Sequence, residues 1–138
     1  MKKTIFLPCN IHKNIGRPIK INKNLHLKKI KFKCWVEDEG EKFYGPGPHQ
    51  LIKSIQKEGS LSKAAGQMKM SYKKAWDLVQ RLNNNSKEPW VILKKGGQHG
   101  GGAEITPHAI KAMQEYEKLQ QKISELLEQQ EALIKVLK

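Results

Sequence analysis

GSLSKAAGQMKMSYKKAWDLVQRLNNN, residues 59–85, is the stretch whose reading decides the fold. Gly59 can end one helix, and Ser60 or Ser62 can cap the next. That next helix runs through Met68 and turns Leu61, Ala64, Ala65 and Met68 to one side. The small pair Ala64-Ala65 lets another helix cross close by. Lys69-Met70 is a tight connection, and Ser71 caps a second helix over about 72–84. Its apolar members Tyr72, Ala75, Trp76, Val79 and Leu82 follow helical spacing and are expected to face inward. Lys73, Lys74, Asp77, Gln80, Arg81 and Asn84 are expected to face out. Two short helices, a tight turn and a basic outer face form a helix-turn-helix pattern.

Downstream, Trp90-Val91-Ile92-Leu93 reads as a strand, residues 94–102 (KKGGQHGGG) as a loop tip, and Ala103-Glu104-Ile105 as the returning strand. A hairpin directly behind the second helix is a wing. Thr106 then caps and Pro107 opens a helix expected to reach the end of the chain. Ala112, Tyr116, Leu119, Ile123, Leu126, Gln130, Leu133 and Leu137 alternate at four and three residues, a heptad seam with one polar member. Met113, Leu127 and Ile134 widen the stripe. One small domain cannot cover so long a stripe, so a two-fold partner is expected, joined through Tyr116, Leu119, Ile123, Leu126, Leu133 and Leu137. Folding back on its own chain is the alternative.

Upstream, Ile30, Phe32, Cys34 and Val36 alternate with Lys31, Lys33 and Trp35, as in a strand with one buried face. Residues 37–40 form a turn, and Glu41–Tyr44 returns as a second strand. Gly45-Pro46-Gly47-Pro48 breaks the pattern. A helix over about 48–58 then places Leu51, Ile52 and Ile55 on one face. Residues 1–28 lack acids and a sustained period, and are expected to form a flexible basic arm. The arm either grips phosphates or is a solvated leader, and could also stem from an upstream start codon.

The chain carries 26 basic and 13 acidic residues, a net charge of +13 that favours polyanionic partners. Ten of the basic residues precede the first acid, Glu37. No apolar run approaches the 18 or so residues of a membrane helix. Ile5-Phe6-Leu7 before Pro8 is too short for a secretory signal, so a cytoplasmic protein without membrane attachment is expected. Cys9 and Cys34 form no CxxC pair and read as free thiols in a reducing compartment, Cys34 half-buried in its strand.

On the second helix, Lys73, Lys74 and Arg81 can meet phosphates or guanine edges, and Gln80 and Asn84 can read adenine. Asp77 can orient those cations, accept from a cytosine amine, or pair on the surface. In the tip, Lys94, Lys95, Gly97, His99 and Gly100 suit a wing that follows a DNA backbone or enters a minor groove. The tip matches neither GxxxxGK[ST] nor GxGxxG, so no nucleotide site is assigned. The five histidines, His49 and His108 among them, show no metal-ligand spacing, and no catalytic constellation stands out. No metal, no cofactor and no enzymatic activity are expected.

Two stretches, GSLSKAAGQMKMSYKKAWDLVQRLN and GGQHGGGAEITP, together resemble the N-terminal DNA-binding domain of the ModE-type molybdate-responsive regulators of bacteria. The resemblance covers roughly residues 30–120. It is carried by S-x-S-x-A-A at 60–65, S-Y-K-x-A-W at 71–76 and the glycine-rich tip. It implies a LysR-like winged helix that binds a palindromic operator as a homodimer, with double-stranded DNA as partner. By position it points to Ser71, Tyr72, Lys73, Lys74 and Arg81, to the wing from Lys94 to Gly102, and to Trp76 as core. Gln98-His99 stands where the family usually has a lysine. The family's oxyanion motif and molybdate-binding modules have no counterpart here. A standalone form is therefore expected, with direct molybdate sensing not expected and no effector assigned.

The expected architecture is α+β, mainly α: a winged helix-turn-helix with an N-terminal β-hairpin and a long C-terminal dimerisation helix. Its parts are an arm at 1–28, a DNA-binding domain at 29–106 and a dimerisation helix at 107–138. A protein-interaction module using the coiled-coil helix, or an unspecific nucleic-acid binder led by the arm, are the rival readings.

Overall fold

Two antiparallel hairpins bracket three helices, and a long helix leaves the far end. The computed structural model describes residues 28–96 and 101–137. The order is β1 (Val36–Asp38), β2 (Glu41–Tyr44), α1 (Pro46–Glu58), α2 (Leu61–Gln67), α3 (Tyr72–Asn84), β3 (Val91–Leu93), β4 (Ala103–Ile105), α4 (Pro107–Glu128) and α5 (Glu131–Val136). Helix and strand are mixed, and the sheets are two separate hairpins. The expected arm lies outside the described residues up to residue 27, as do Gly97, His99 and Gly100 of the tip.

The core is one apolar cluster. Leu51, Ile52 and Ile55 of α1 and Ala64 of α2 are wholly buried, as are Ala75 and Val79 of α3 and Ala109 of α4. α1 packs on α2 and β4, and α3 crosses α2. Ala64 and Ala65 of α2 and Ala75 of α3 are all buried, and such small side chains allow helices to approach closely. An aromatic group closes the other end. The Tyr44 ring lies 4.8 Å from Trp90 and 5.1 Å from Tyr116, centre to centre.

Local rules place most boundaries. Gly59 ends α1 in the left-handed region at φ 61°. Its carbonyl accepts from Ala103 N–H at 2.9 Å, which hangs the second hairpin on the end of α1. The α2–α3 turn has the hydrogen bonds of a Schellman cap: Met70 N–H to Ala65 C=O (3.1 Å) and Lys69 N–H to Gly66 C=O (3.1 Å). Lys69 takes the left-handed position at φ 53°, where glycine is usual. Thr106 caps α4 by accepting from Ala109 N–H at 3.2 Å, and its hydroxyl donates to Pro89 C=O at 2.7 Å.

Several expectations are corrected. The strand expected over 30–36 is only Val36–Asp38, because its partner is four residues long and ends at Gly45 and at Pro46, which has no N–H. Residues 30–35 have no ladder to join, so half-buried Cys34 lies outside any strand. A bulge between Val36 and Glu37 also breaks the alternation and leaves Val36 exposed. The turn is accordingly shorter than 37–40: Glu39 and Gly40 alone make it, both at positive φ. Helix α1 begins at Pro46, not Pro48, since the whole first turn tolerates a missing N–H.

Tyr72 and Trp76 do not face inward, being 54% and 42% exposed. The stripe that α3 buries is Ala75, Val79 and Leu82, with Leu78 half-buried, and the two aromatics lie on its flank. Finally, the last helix breaks at Gln129-Gln130, where Gln130 leaves helical geometry (φ −86°, ψ 54°). Leu127 before the break and Ile134 beyond it line a cleft with Ile30, and the Lys28 ammonium donates to the Leu137 carbonyl. Part of the stripe thus lines a cleft that it shares with the segment before β1. Tyr116 is not a free seam residue. It is buried in its own chain, and its hydroxyl donates to Cys34 C=O at 2.8 Å.

Candidate nucleic-acid interface

The exposed side of α3 is built by its cap and its burial pattern. Ser71 stops the chain in extended geometry and accepts from Lys74 N–H at 3.2 Å, so the first turn starts at Tyr72. Ala75, Val79 and Leu82 then anchor the helix, and the remaining positions turn outward. Lys73 Nζ lies 3.9 Å from Asp77, with the lysine side chain 88% exposed. An exposed pair at that distance contributes little stability, so Lys73 is free to leave it. Asp77 therefore sits where it can steer the lysine. Lys74 is exposed one position on, and Tyr72 and Trp76 flank the cations with exposed rings.

Arg81 lies two turns beyond Lys74 on the same flank. It is exposed, and together with Lys33, which precedes β1, and Lys42 of β2 it lines a cleft of about 360 Å³. Sequence reasoning passed over Lys33 and Lys42, which stand some forty residues from Arg81 along the chain. Their signal was weak, merely single exposed lysines ahead of β1 and on β2.

The second hairpin is held to α3 by Asn83. Its carboxamide oxygen accepts from Trp90 N–H (2.8 Å) and Val91 N–H (3.1 Å), and its nitrogen donates to Val91 C=O (2.9 Å). This residue too was missed, because an asparagine late in a helix reads as a mere helix end. At the tip's base, Lys94 N–H donates to Gly102 C=O at 2.8 Å. The chain passes so close there that a Cβ on Gly101 would lie 2.6 Å from the Lys94 carbonyl oxygen. Lys94 pairs with Glu104 across the hairpin at 3.0 Å, and Lys95 is exposed. The structure therefore groups Ser71, Tyr72, Lys73, Lys74 and Asp77 on the first turns of α3. It places Arg81 beside the first hairpin, and Lys94 and Lys95 on the second.

Behind this surface lies a polar junction joining α1, β2 and α4. The Tyr44 hydroxyl donates to His49 Nδ1 at 2.6 Å, leaving Nε2–H to donate to Glu117 at 3.1 Å. Lys53 Nζ donates to the same carboxylate oxygen at 2.8 Å. Burial holds the His49 pKa below its usual range, against the raising effect of its bond to Glu117. Glu117 is itself lowered, chiefly by its hydrogen bond from Lys53. Burial pushes Tyr44 upward and Tyr116 up to about 12, so both remain protonated donors. Among the described residues no cluster of His, Cys, Asp and Glu could hold a metal, and no helix is long and apolar enough to cross a membrane.

No family profile matches the chain. Several curated proteins do. The chain is 37% identical over 71 residues to the "Molybdenum transport protein ModE" of Azotobacter vinelandii, a match covering 51% of this chain and 26% of that protein. It is 38% identical over 78 residues to the "Transcriptional regulator ModE" of Haemophilus influenzae, covering 56% and 31%. It is 35% identical over 94 residues to the "DNA-binding transcriptional dual regulator ModE" of Escherichia coli K12, covering 66% and 36%. The chain thus spans between about a quarter and somewhat over a third of the length of these relatives. Over half or more of its own length, this chain is a relative of the ModE-type regulators.

Proposed function

We propose that the chain is a DNA-binding transcriptional regulator of winged helix-turn-helix architecture. In this reading residues 29–106 are the DNA-binding domain, with α2 and α3 the helix-turn-helix and β3–β4 the wing. Residues 107–138 carry a dimer contact, and residues 1–28 are a basic arm. Helix α3 enters the major groove, with Ser71, Tyr72, Lys73, Lys74, Asp77 and Arg81 at or near the duplex. The tip, with Lys94, Lys95, Gly97, His99 and Gly100, follows the backbone or an adjacent minor groove. Two copies place their α3 helices on half-sites of a palindromic operator, one turn of duplex apart. Such a protein works in the cytoplasm. The described residues support no assignment of molybdate as its effector.

The observation that carries this reading is the outer face of α3. The helix buries only Ala75, Val79 and Leu82, and it presents three cations and a single acid to solvent beside a glycine-rich hairpin. The printed names of the relatives point the same way.

The test is duplex binding by fluorescence anisotropy. The duplex is first selected from a random pool with the full chain. Lys73→Ala, Lys74→Ala and Arg81→Ala should each weaken binding. A cation that reads a base loses about 1–3 kcal/mol and relaxes preference at that position, whereas one that meets phosphate weakens all duplexes alike. Unchanged affinity in all three variants would overturn the assignment.

A further inference from the structure

The cleft between the first hairpin and the C-terminal half of α3 has a composition of its own. Lys33 precedes β1, Lys42 lies on β2, and Arg81 lies on α3, so three separate elements each supply one cation. No acidic side chain lines it, and among the described residues none of the three cations is in an ion pair. Three like charges brought together by folding repel one another, and an anion in the cleft would relieve that repulsion. The wall is aromatic: the Lys42 ammonium stands 4.2 Å from the centre of the Trp35 ring, which directs it across that ring. Gly45 sets the shape of the wall, because a Cβ there would lie 2.9 Å from the Trp35 Cβ. The volume of about 360 Å³ is ample for a phosphodiester group.

We propose that this cleft holds a backbone phosphate of the bound duplex, flanking the segment that α3 reads. The proposal rests on the DNA-binding reading above. A DNA phosphate is favoured over a free anion by continuity: Arg81 is seven residues from Lys74, on the same flank of α3, so the cleft prolongs the cationic face of that helix. The first hairpin is then a second clamp on the duplex, beside the C-terminal half of α3. Arg81 acts as a phosphate fork and carries no sequence information.

The experiment measures the salt dependence of full-chain binding to the selected duplex and to a scrambled one. The variants are Lys33→Gln, Lys42→Gln and the double variant, whose side chains are exposed and whose folding is checked by thermal melting. Each neutralised phosphate contributes about 0.9 to the slope of log affinity against log salt. The double variant should flatten that slope by about 0.9 per bound subunit and weaken both duplexes by a similar factor, about fivefold or more. If Lys73→Ala weakens binding while the double variant changes neither slope nor affinity, the cleft is not a phosphate site and the DNA-binding reading stands. If none of the α3 variants matters either, that reading itself fails. Calorimetric titration with inorganic phosphate separates the sources. Sub-millimolar binding abolished by the double variant, with the duplex slope unchanged, would make this a free-oxyanion site and overturn the proposal.

Discussion

His49 shows how much one side chain carries. It is buried at the junction of three elements, accepts a hydrogen bond from Tyr44 and donates one to Glu117. That arrangement needs the neutral ring, because protonation would put a second N–H against the Tyr44 hydroxyl. The sign follows from its depressed pKa. The unfolded chain takes up the proton near the ordinary value of 6.5, while the folded chain resists until lower pH. Stability is therefore full above about 6.5 and is lost as pH falls from there towards the folded pKa. Glu117, also depressed, adds a further loss at lower pH, below the usual carboxylate value of 4.5. Urea midpoints at pH 7.5 and 5.5 should differ in the native chain and differ less in His49→Gln. An equal pH dependence in both would show that His49 does not carry it.

Elements here are short, and their placement depends on few bonds. Strands β3 and β4 have three residues each and cannot form a stable hairpin alone. They are held at two points, by Asn83 from α3 and by the Gly59 carbonyl at the end of α1. Asn83→Ala leaves the Trp90 and Val91 N–H groups without their partner and should cost about 2–3 kcal/mol. Hydrogen exchange at Val91 through Leu93 should accelerate more than at Ile52 or Ile55 in the core of α1. A variant as stable as the native chain, with unchanged exchange in β3, would show that the hairpin is held by packing alone. The same bonds fix the angle between α3 and the wing, so this prediction also bears on how both could meet one duplex.

At the scale of the whole molecule, α4 has two roles along its length. Its first half is core: Ala109, Met113 and Tyr116 are buried against the helices and the first hairpin. Beyond Tyr116 the stripe opens, with Leu119 and Leu126 47% and 58% exposed. Burying two such leucines in a partner would gain about 1.5–3 kcal/mol for each side chain fully covered. Leu119→Glu with Leu126→Glu should therefore shift the full chain towards monomer by light scattering, while its melting temperature at low concentration stays near that of the native chain. A dimer mass unchanged by both substitutions would overturn the proposed contact. Truncation is a poorer test, because α5 also covers the segment around Ile30.

What the sequence by itself determined is local: serine and threonine caps, the proline that opens α4, the glycine that ends α1, and the helical spacing of Leu51, Ile52 and Ile55. These signals act within a turn or two of chain, so backbone sterics and hydrogen bonding express them wherever the segment sits. The outward cations of α3 were legible for the same reason. Tertiary structure decided what depends on partners distant along the chain. Tyr72 and Trp76 fit an apolar stripe as well as Leu82 does, yet only the angle at which α3 crosses α2 sets which flank of the stripe is covered. The length of β1 was set by the strand opposite it, and the break at Gln129-Gln130 falls where no proline or glycine announces it. Arg81 met Lys33 and Lys42 only on folding, since no spacing rule links a hairpin to a helix forty residues on.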